Sequence, residues 1–362
     1  MEEGVPGHPP MVRSPFLTMR IPSLFGLRAV CISFVLLAHL SGTRNFPHSH
    51  TLELYGNLGS RIFLVLSGYL ITSQLLREHE RAGTISLKNF YVRRAYRIFP
   101  AAYVFIAISV VLYWRQLSWL NIAAVATYTG NFYRGEWILG HLWSLGVEEQ
   151  FYLLWPLALV LFFRKRAEIV LAAILAGPPL HVLFWFLWGP SSLGRQFPLY
   201  MDALAMGCAM SMLEPRLAAH DRIFRSRWFL LVPIATVSLP LTQLWNSRAY
   251  QVVGLTTLHL GIALSLRHLI ARSYAILNYK PVAWFGGITY SLYLWQQLFL
   301  NRGSSAPWTA FPLNLCLALI CGTISYYAIE QPFLKLREKR APRRRPQVIR
   351  DRRTPTATAE VA

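Results

Sequence analysis

Charge is scarce in this chain. Only 14% of its 362 residues are charged, against about 25% in an ordinary soluble domain. Acidic residues are the scarcest, 16 Asp and Glu against 36 Lys and Arg, which leaves a net charge of +20. Cysteine is nearly absent: Cys31, Cys208, Cys316 and Cys321 all lie inside apolar stretches. They have no metal-ligand spacing, so a disulfide scaffold and a cysteine metal site are excluded, and the thiols read as small packing residues. The shortage of charge argues against a disordered chain, a coiled coil and a soluble two-domain enzyme. What fills the space is apolar: 54% hydrophobic residues, aromatics included. A basic balance can mark a nucleic-acid binder. Here the cations stand in short runs between long apolar blocks, a membrane pattern, so no nucleic-acid partner is expected.

A membrane-spanning helix needs roughly 20 apolar residues. Segments 22–41, 57–76, 98–114, 147–163, 168–188, 198–213, 228–244, 251–266, 284–302 and 309–329 answer to that description, several of them short. The fold class expected is therefore all-α, a polytopic integral membrane protein with about ten transmembrane helices. The stretch 119–131 is too short to cross, and 115–146 reads as an outer loop with a re-entrant or surface segment. The first block resembles a signal peptide, but no small-residue cleavage site follows it, so a retained helix is expected. Basic loops follow the second, fourth, sixth and eighth segments: Arg77 to Arg97, Arg164 to Arg166, Arg216 to Arg227, and Arg267 to Lys280. The alternate loops carry few cations. The positive-inside rule then places both termini in the cytoplasm. Three regions are expected: a cytoplasmic segment 1–20, a membrane domain 21–335, and a basic tail 336–362. The tail is Arg- and Pro-rich and is expected to be disordered. No internal repeat and no second globular domain is visible.

An ionisable residue inside a span is costly, so it is a functional candidate by default. Arg28 and His39 stand in the first span. Eleven residues at 1.5 Å each separate them by about 16 Å, and three turns return them to nearly one face. Snorkelling explains Arg28 equally well, and a structural hydrogen bond explains His39. A second cluster runs from His141 through Trp143, Ser144, Glu148, Glu149, Gln150 and Tyr152. It opens the fourth span from the outer side, so the carboxylates are expected at the depth of His39. Adjacent glutamates diverge by about 100° on a helix, so at most one faces a site. A carboxylate there could orient an imidazole; it could also merely complement a helix N-terminus. A third cluster, Arg93, Arg94 and Arg97, lies at the cytoplasmic entry to the third span. Guanidinium groups bind phosphate bidentately, although a basic cluster there also serves as a topology signal. Ser67-Gly68-Tyr69 lies within the second span, where small residues commonly pack helices together.

Taken together these clusters resemble the membrane acyltransferase-3 family. Its first-helix Arg and His correspond to Arg28 and His39. Its Phe-Val-Leu-Ser-Gly-Phe stretch is similar to Phe63 through Tyr69, and its Arg-Ile-x-Pro element to Arg97 through Pro100. The Trp-Ser-Leu-x-x-Glu-Glu-Gln-Phe-Tyr signature looks like Trp143 through Tyr152. Late marks are Asp202 with Gly207, Tyr290 through Trp295 with Tyr293, and Ile329-Glu330-Gln331-Pro332. The resemblance covers about residues 22–335 in order. Two departures stand out. Gln296 occupies a position where the family often has His, and Tyr200 one where it often has Arg.

The resemblance implies a multi-pass enzyme of the bacterial inner (cell) membrane that moves acyl groups onto hydroxyls of carbohydrates and glycoconjugates. The cosubstrate implied is acyl-CoA, acetyl-CoA first, with no permanently bound cofactor and no metal. Arg93, Arg94 and Arg97 would hold the donor phosphates, and Arg28 would line the path of the pantetheine arm. His39 would act as general base, worth typically 10²–10⁴-fold, with Glu149, or else Glu148, orienting it. Ser67, Glu148, Trp143, Asp202 and Tyr293 would contact substrate. A covalent acyl-enzyme on His39 or Ser67 is the alternative chemistry. A polytopic transporter would share the composition and the buried charges, and an inactive partner subunit would share the fold. The ordered motifs favour the enzyme.

Overall fold

The computed structural model describes residues 22–133, 135–188 and 197–340. Among the described residues there are thirteen helices of eight residues or more and no strand. They are α1 (Pro22–Leu40), α2 (His50–Ala82), α3 (Leu87–Tyr113), α4 (Trp119–Ala126), α5 (Leu142–Leu161), α6 (Arg166–Trp188) and α7 (Met201–Ala218). The second half holds α8 (Leu231–Ser238), α9 (Leu255–Ala271), α10 (Lys280–Gly287), α11 (Thr289–Phe299), α12 (Leu313–Ser325) and α13 (Gln331–Arg340). The expected cytoplasmic segment 1–20 and most of the basic tail lie outside the described residues.

Local chemistry sets the ends of the long helices. Ser49 caps α2 by accepting from the Leu52 amide, and Ser86 caps α3 by accepting from Asn89. Between them α2 stops at Gly83, whose φ of 70° is left-handed and whose N–H returns to the His79 carbonyl. Glycine takes that conformation without steric cost, so the chain turns back directly.

The first helix is the central post, packed between α2, α10 and α11. Close approach of backbones makes this possible. A Cβ on Gly68 of α2 would stand 2.1 Å from the Leu204 carbonyl oxygen, and one on Gly207 of α7 would stand 2.0 Å from that of Val65. The two glycines therefore face each other across the α2–α7 contact, the small-residue packing of membrane helices. Outward-facing positions are apolar instead of polar. Leu153, Leu154 and Leu161 of α5, Leu175 and Phe186 of α6 and Ile320 and Ile324 of α12 are all exposed. A bundle that shows Leu and Phe on its outside is built for a lipid surround.

Among the described residues, seven helices are long and apolar enough to cross a membrane: Ser23–Leu40, His50–Ala82, Leu87–Tyr113, Phe163–Leu187, Arg227–Leu244, Ser247–Ala271 and Leu313–Arg340. The other three of the ten expected segments differ for visible reasons. Segment 147–163 forms α5, which carries Glu148 and Glu149, and 198–213 forms α7, which carries Asp202, Glu214 and Arg216. Segment 284–302 breaks at Ile288 into α10 and α11, each too short to cross alone. The stretch 119–131 contains only the eight-residue α4 and a single tight turn at Gly130–Phe132. At 1.5 Å per residue α4 is about 12 Å long. The last helix continues through residues 336–340, past the boundary expected at 335. Of the cysteines, Cys31 and Cys208 are packed inside, whereas Cys316 is exposed on the outward side of α12.

Candidate active site

Two cavities lie end to end along α1. The lower one, about 120 Å³, is lined by Arg28, Ser67, Arg94, Arg97, Glu148 and Tyr152 among others. The upper one, about 460 Å³, is lined by His39, Asn57, Trp137, Trp143, Tyr200 and Gln297 among others. Val35, Ser60, Ser144 and Tyr293 line both. The helical rise alone explains the order. Arg28 and His39 sit eleven residues apart on one helix, and Val35 falls between them.

The lower cavity concentrates cations. Arg94 stands over the Tyr152 ring, 4.4 Å from its centroid. The Tyr152 hydroxyl donates to Glu148 Oε2 at 2.5 Å. Ser67 Oγ lies 3.2 Å from that hydroxyl and 3.5 Å from the same carboxylate oxygen. Arg97 pairs with Glu330 at 3.7 Å, and Glu330 also accepts from Ser291 at 3.0 Å. Glu330 reaches this point from a widened π turn, Tyr326–Glu330, that joins α12 to α13. Three guanidinium groups, Arg28, Arg94 and Arg97, thus line this cavity, with Glu148 as the carboxylate among its lining residues.

The upper cavity is aromatic and amide-lined. His39 Nδ1 lies 2.8 Å from Gln296 Oε1. The orientation of that amide is set by a chain of bonds. Gln297 Nε2 donates to the Trp137 carbonyl at 2.7 Å, and Gln296 Nε2 donates to Gln297 Oε1 at 3.2 Å. Only the Gln296 oxygen is left for the histidine, so His39 donates from Nδ1 and carries its lone pair on Nε2. Trp137 holds the ring edge-on, with centroids 5.6 Å apart. At the junction, Tyr293 donates its hydroxyl proton to the His141 carbonyl, and Ser144 Oγ lies 2.7 Å from the same phenol oxygen.

The structure brings together Arg28, Arg94, Arg97, Ser67 and Glu148, and separately His39, Trp143 and Tyr293. It places three expected residues elsewhere. Glu149 does not orient His39; its Oε1 is buried with no hydrogen-bond partner among the described residues. The cause is depth. α5 begins at Leu142, so Glu148 and Glu149 lie about 9–10 Å along the axis from its N-terminal end, and Glu148 reaches the Arg28 cavity instead. Arg93 turns away from the cavity to pair with Glu78 at 3.0 Å. Asp202 is fully buried and lines neither cavity; its Oδ2 lies 2.9 Å from His259 Nδ1. Sequence reasoning missed Gln296 as the partner of His39, together with Arg61 and His259. The latter two are ionisable residues inside apolar segments, the same signal that marked Arg28 and His39.

Residues 21–329 match the acyltransferase domain family, and the chain belongs to it. The ordered motifs had pointed to the same family. One relative is the peptidoglycan O-acetyltransferase OatA of Listeria monocytogenes, 29% identical over 360 residues, covering 87% of this chain and 56% of the relative. Another is the O-acetyltransferase OatA of Staphylococcus aureus, 28% identical over 360 residues, covering 87% of this chain and 57% of the relative. The chain thus spans a little over half the length of these curated relatives. No solved structure matches it.

Proposed function

We propose that the protein is a multi-pass O-acyltransferase of the bacterial cell membrane, moving an acyl group, acetyl first, from acyl-CoA to a carbohydrate hydroxyl. The observation that carries this reading is the pair of joined cavities, cationic at one end and histidine-bearing at the other. The names of the two relatives, both O-acetyltransferases and one of peptidoglycan, support a glycan acceptor. Donor phosphates pair with Arg94 and Arg97 on the cytoplasmic side. The pantetheine arm runs past Arg28 and presents its thioester at the junction. The acceptor enters the upper cavity from outside and gives its hydroxyl proton to Nε2 of His39. The oxygen attacks the thioester carbonyl, the C–O bond forms, the C–S bond breaks, and the proton passes to the departing thiolate. Gln296 holds the tautomer in which Nε2 can accept that proton.

The purified protein in lipid nanodiscs, given radiolabelled acetyl-CoA and chitotetraose, tests the reading. His39→Ala should lower transfer by about 10²–10⁴-fold while melting temperature and donor affinity hold. Full transfer by folded His39→Ala sinks it. A second reading, an acyl-enzyme on Ser67, draws on the proximity of Ser67 to Glu148. A labelled enzyme trapped by acid quench, and lost in Ser67→Ala, would favour it over direct transfer.

A further inference from the structure

Behind the upper cavity a buried chain of three ionisable side chains crosses from α7 through α9 to α2. Asp202 and His259 are fully buried and Arg61 is 7% exposed. His259 Nδ1 lies 2.9 Å from Asp202 Oδ2, and His259 Nε2 lies 2.9 Å from Arg61 Nη1. A guanidinium only donates and a carboxylate only accepts. His259 must therefore accept at Nε2 and donate at Nδ1, which is one tautomer of the neutral ring. The Asp202 carboxylate also receives the Ala203 amide at 2.9 Å and the Thr256 hydroxyl at 3.4 Å, with His181 Nε2 3.9 Å away. The charges of Arg61 and Asp202 thus balance through an uncharged ring without touching. Charges inside a membrane bundle are costly, and three helices contribute to this arrangement, so a use is expected.

Its far end shows the use. The Arg61 guanidinium stands 5.1 Å from the Tyr200 ring centroid, and the Tyr200 ring stands 5.0 Å from that of Trp143. Tyr200 and Trp143 both line the upper cavity. We propose that Arg61, His259 and Asp202 are positioning residues for the acyl acceptor. The relay anchors the cation behind Tyr200, and the Tyr200–Trp143 pair then forms a fixed aromatic wall on which a sugar ring stacks. This inference rests on the upper cavity being the acceptor site, and it makes acceptor affinity depend on a carboxylate that no substrate reaches.

Two measurements test it on the full chain in nanodiscs. ¹⁵N-histidine NMR, with His259 assigned by difference against His259→Gln, should show a neutral ring protonated at Nδ1. An imidazolium, or an Nε2–H ring, overturns the relay without reference to any substrate. Kinetics with acetyl-CoA and chitotetraose then read its effect. His259→Leu should raise the acceptor KM roughly tenfold, the worth of an aromatic stacking contact, with the donor KM unchanged. His259→Gln should restore it, because an amide offers one acceptor and one donor about as far apart as the ring nitrogens. Tyr200→Leu should raise the acceptor KM likewise, and the double variant His259→Leu with Tyr200→Leu should add little further. A wild-type acceptor KM in folded His259→Leu, or equal loss in His259→Gln with every parameter and the melting temperature falling together, overturns the proposal. If His259→Leu does not fold, Tyr200→Leu carries the test, and a wild-type acceptor KM there overturns it. A wild type that transfers nothing to the probe fails the acceptor reading, whereas the ring tautomer still decides the relay.

Discussion

Gln297 donates to a backbone carbonyl and Gln296 donates to Gln297, so the Gln296 oxygen has one direction left, toward His39. Replacing it by Leu removes the group that selects the tautomer but leaves the ring in place. Gln296→Leu should therefore lower kcat by about ten- to a hundredfold, less than His39→Ala, since the base itself remains. Turnover on both variants beside their melting curves is the check. The arginines divide in the same way. Arg94 and Arg97 face the lower cavity, whereas Arg93 is held by Glu78. Arg94→Ala and Arg97→Ala should each weaken acetyl-CoA binding by about 1.5–3 kcal/mol, more visibly at low salt. Arg93→Ala should leave it nearly unchanged; calorimetry on the three variants separates them. The cost of a charge inside an apolar run made Arg28, His39 and the Glu148 signature legible from the chain alone. Partnership was not legible, because it crosses the bundle: His39 meets Gln296 over a separation of 257 residues and Arg61 meets His259 over 198. No local pattern encodes which of two adjacent glutamates, or of three arginines, turns inward.

Among the helices, the α2–α7 contact is one that a single methyl group would disrupt. Gly68 and Gly207 oppose backbone atoms on each other's helix, so a Cβ at either position must push the helices apart. Gly207→Val should destabilise the protein by about 1–3 kcal/mol or more, lowering the melting temperature. It should also displace Ser67, the neighbour of Gly68, and with it the lower cavity. Gly83→Ala, in the open turn after α2, meets no atom within 4 Å and is strained only through its positive φ, so it should cost less. Thermal unfolding in one lipid or detergent background compares the two. Helix content and the apolar segments were readable because a span must be long and greasy. The breaks were harder to see. The interruption at Ile288 redirects α11, which carries Tyr290, Tyr293, Gln296 and Gln297, and the π turn brings Glu330 to Arg97. Both depend on packing against α1 and α3, and an apolar run looks the same whether or not it bends.

For the molecule as a whole, the positive-inside rule predicts that the lower cavity faces the cytoplasm and the upper cavity the outside. A thiol introduced as His48→Cys should react with an impermeant maleimide in intact cells, and Lys339→Cys only after permeabilisation. The reverse pattern would invert the proposed route of donor and acceptor. The four residues common to both cavities then acquire a second duty. Among the described residues, Val35, Ser60, Ser144 and Tyr293 line both chambers and so stand at the waist between them. On the proposed mechanism, a waist that lets a thioester meet a sugar also has to hold back protons, on which the cell membrane's stored potential depends. Transfer and leakage are therefore set by the same few ångströms: widening that waist for a bulkier acyl group would tax the energy supply of the cell. Tyr293→Ala vesicles loaded with a pH-sensitive dye should dissipate an imposed proton gradient faster than wild-type vesicles, and a bound donor filling the gap should slow the loss.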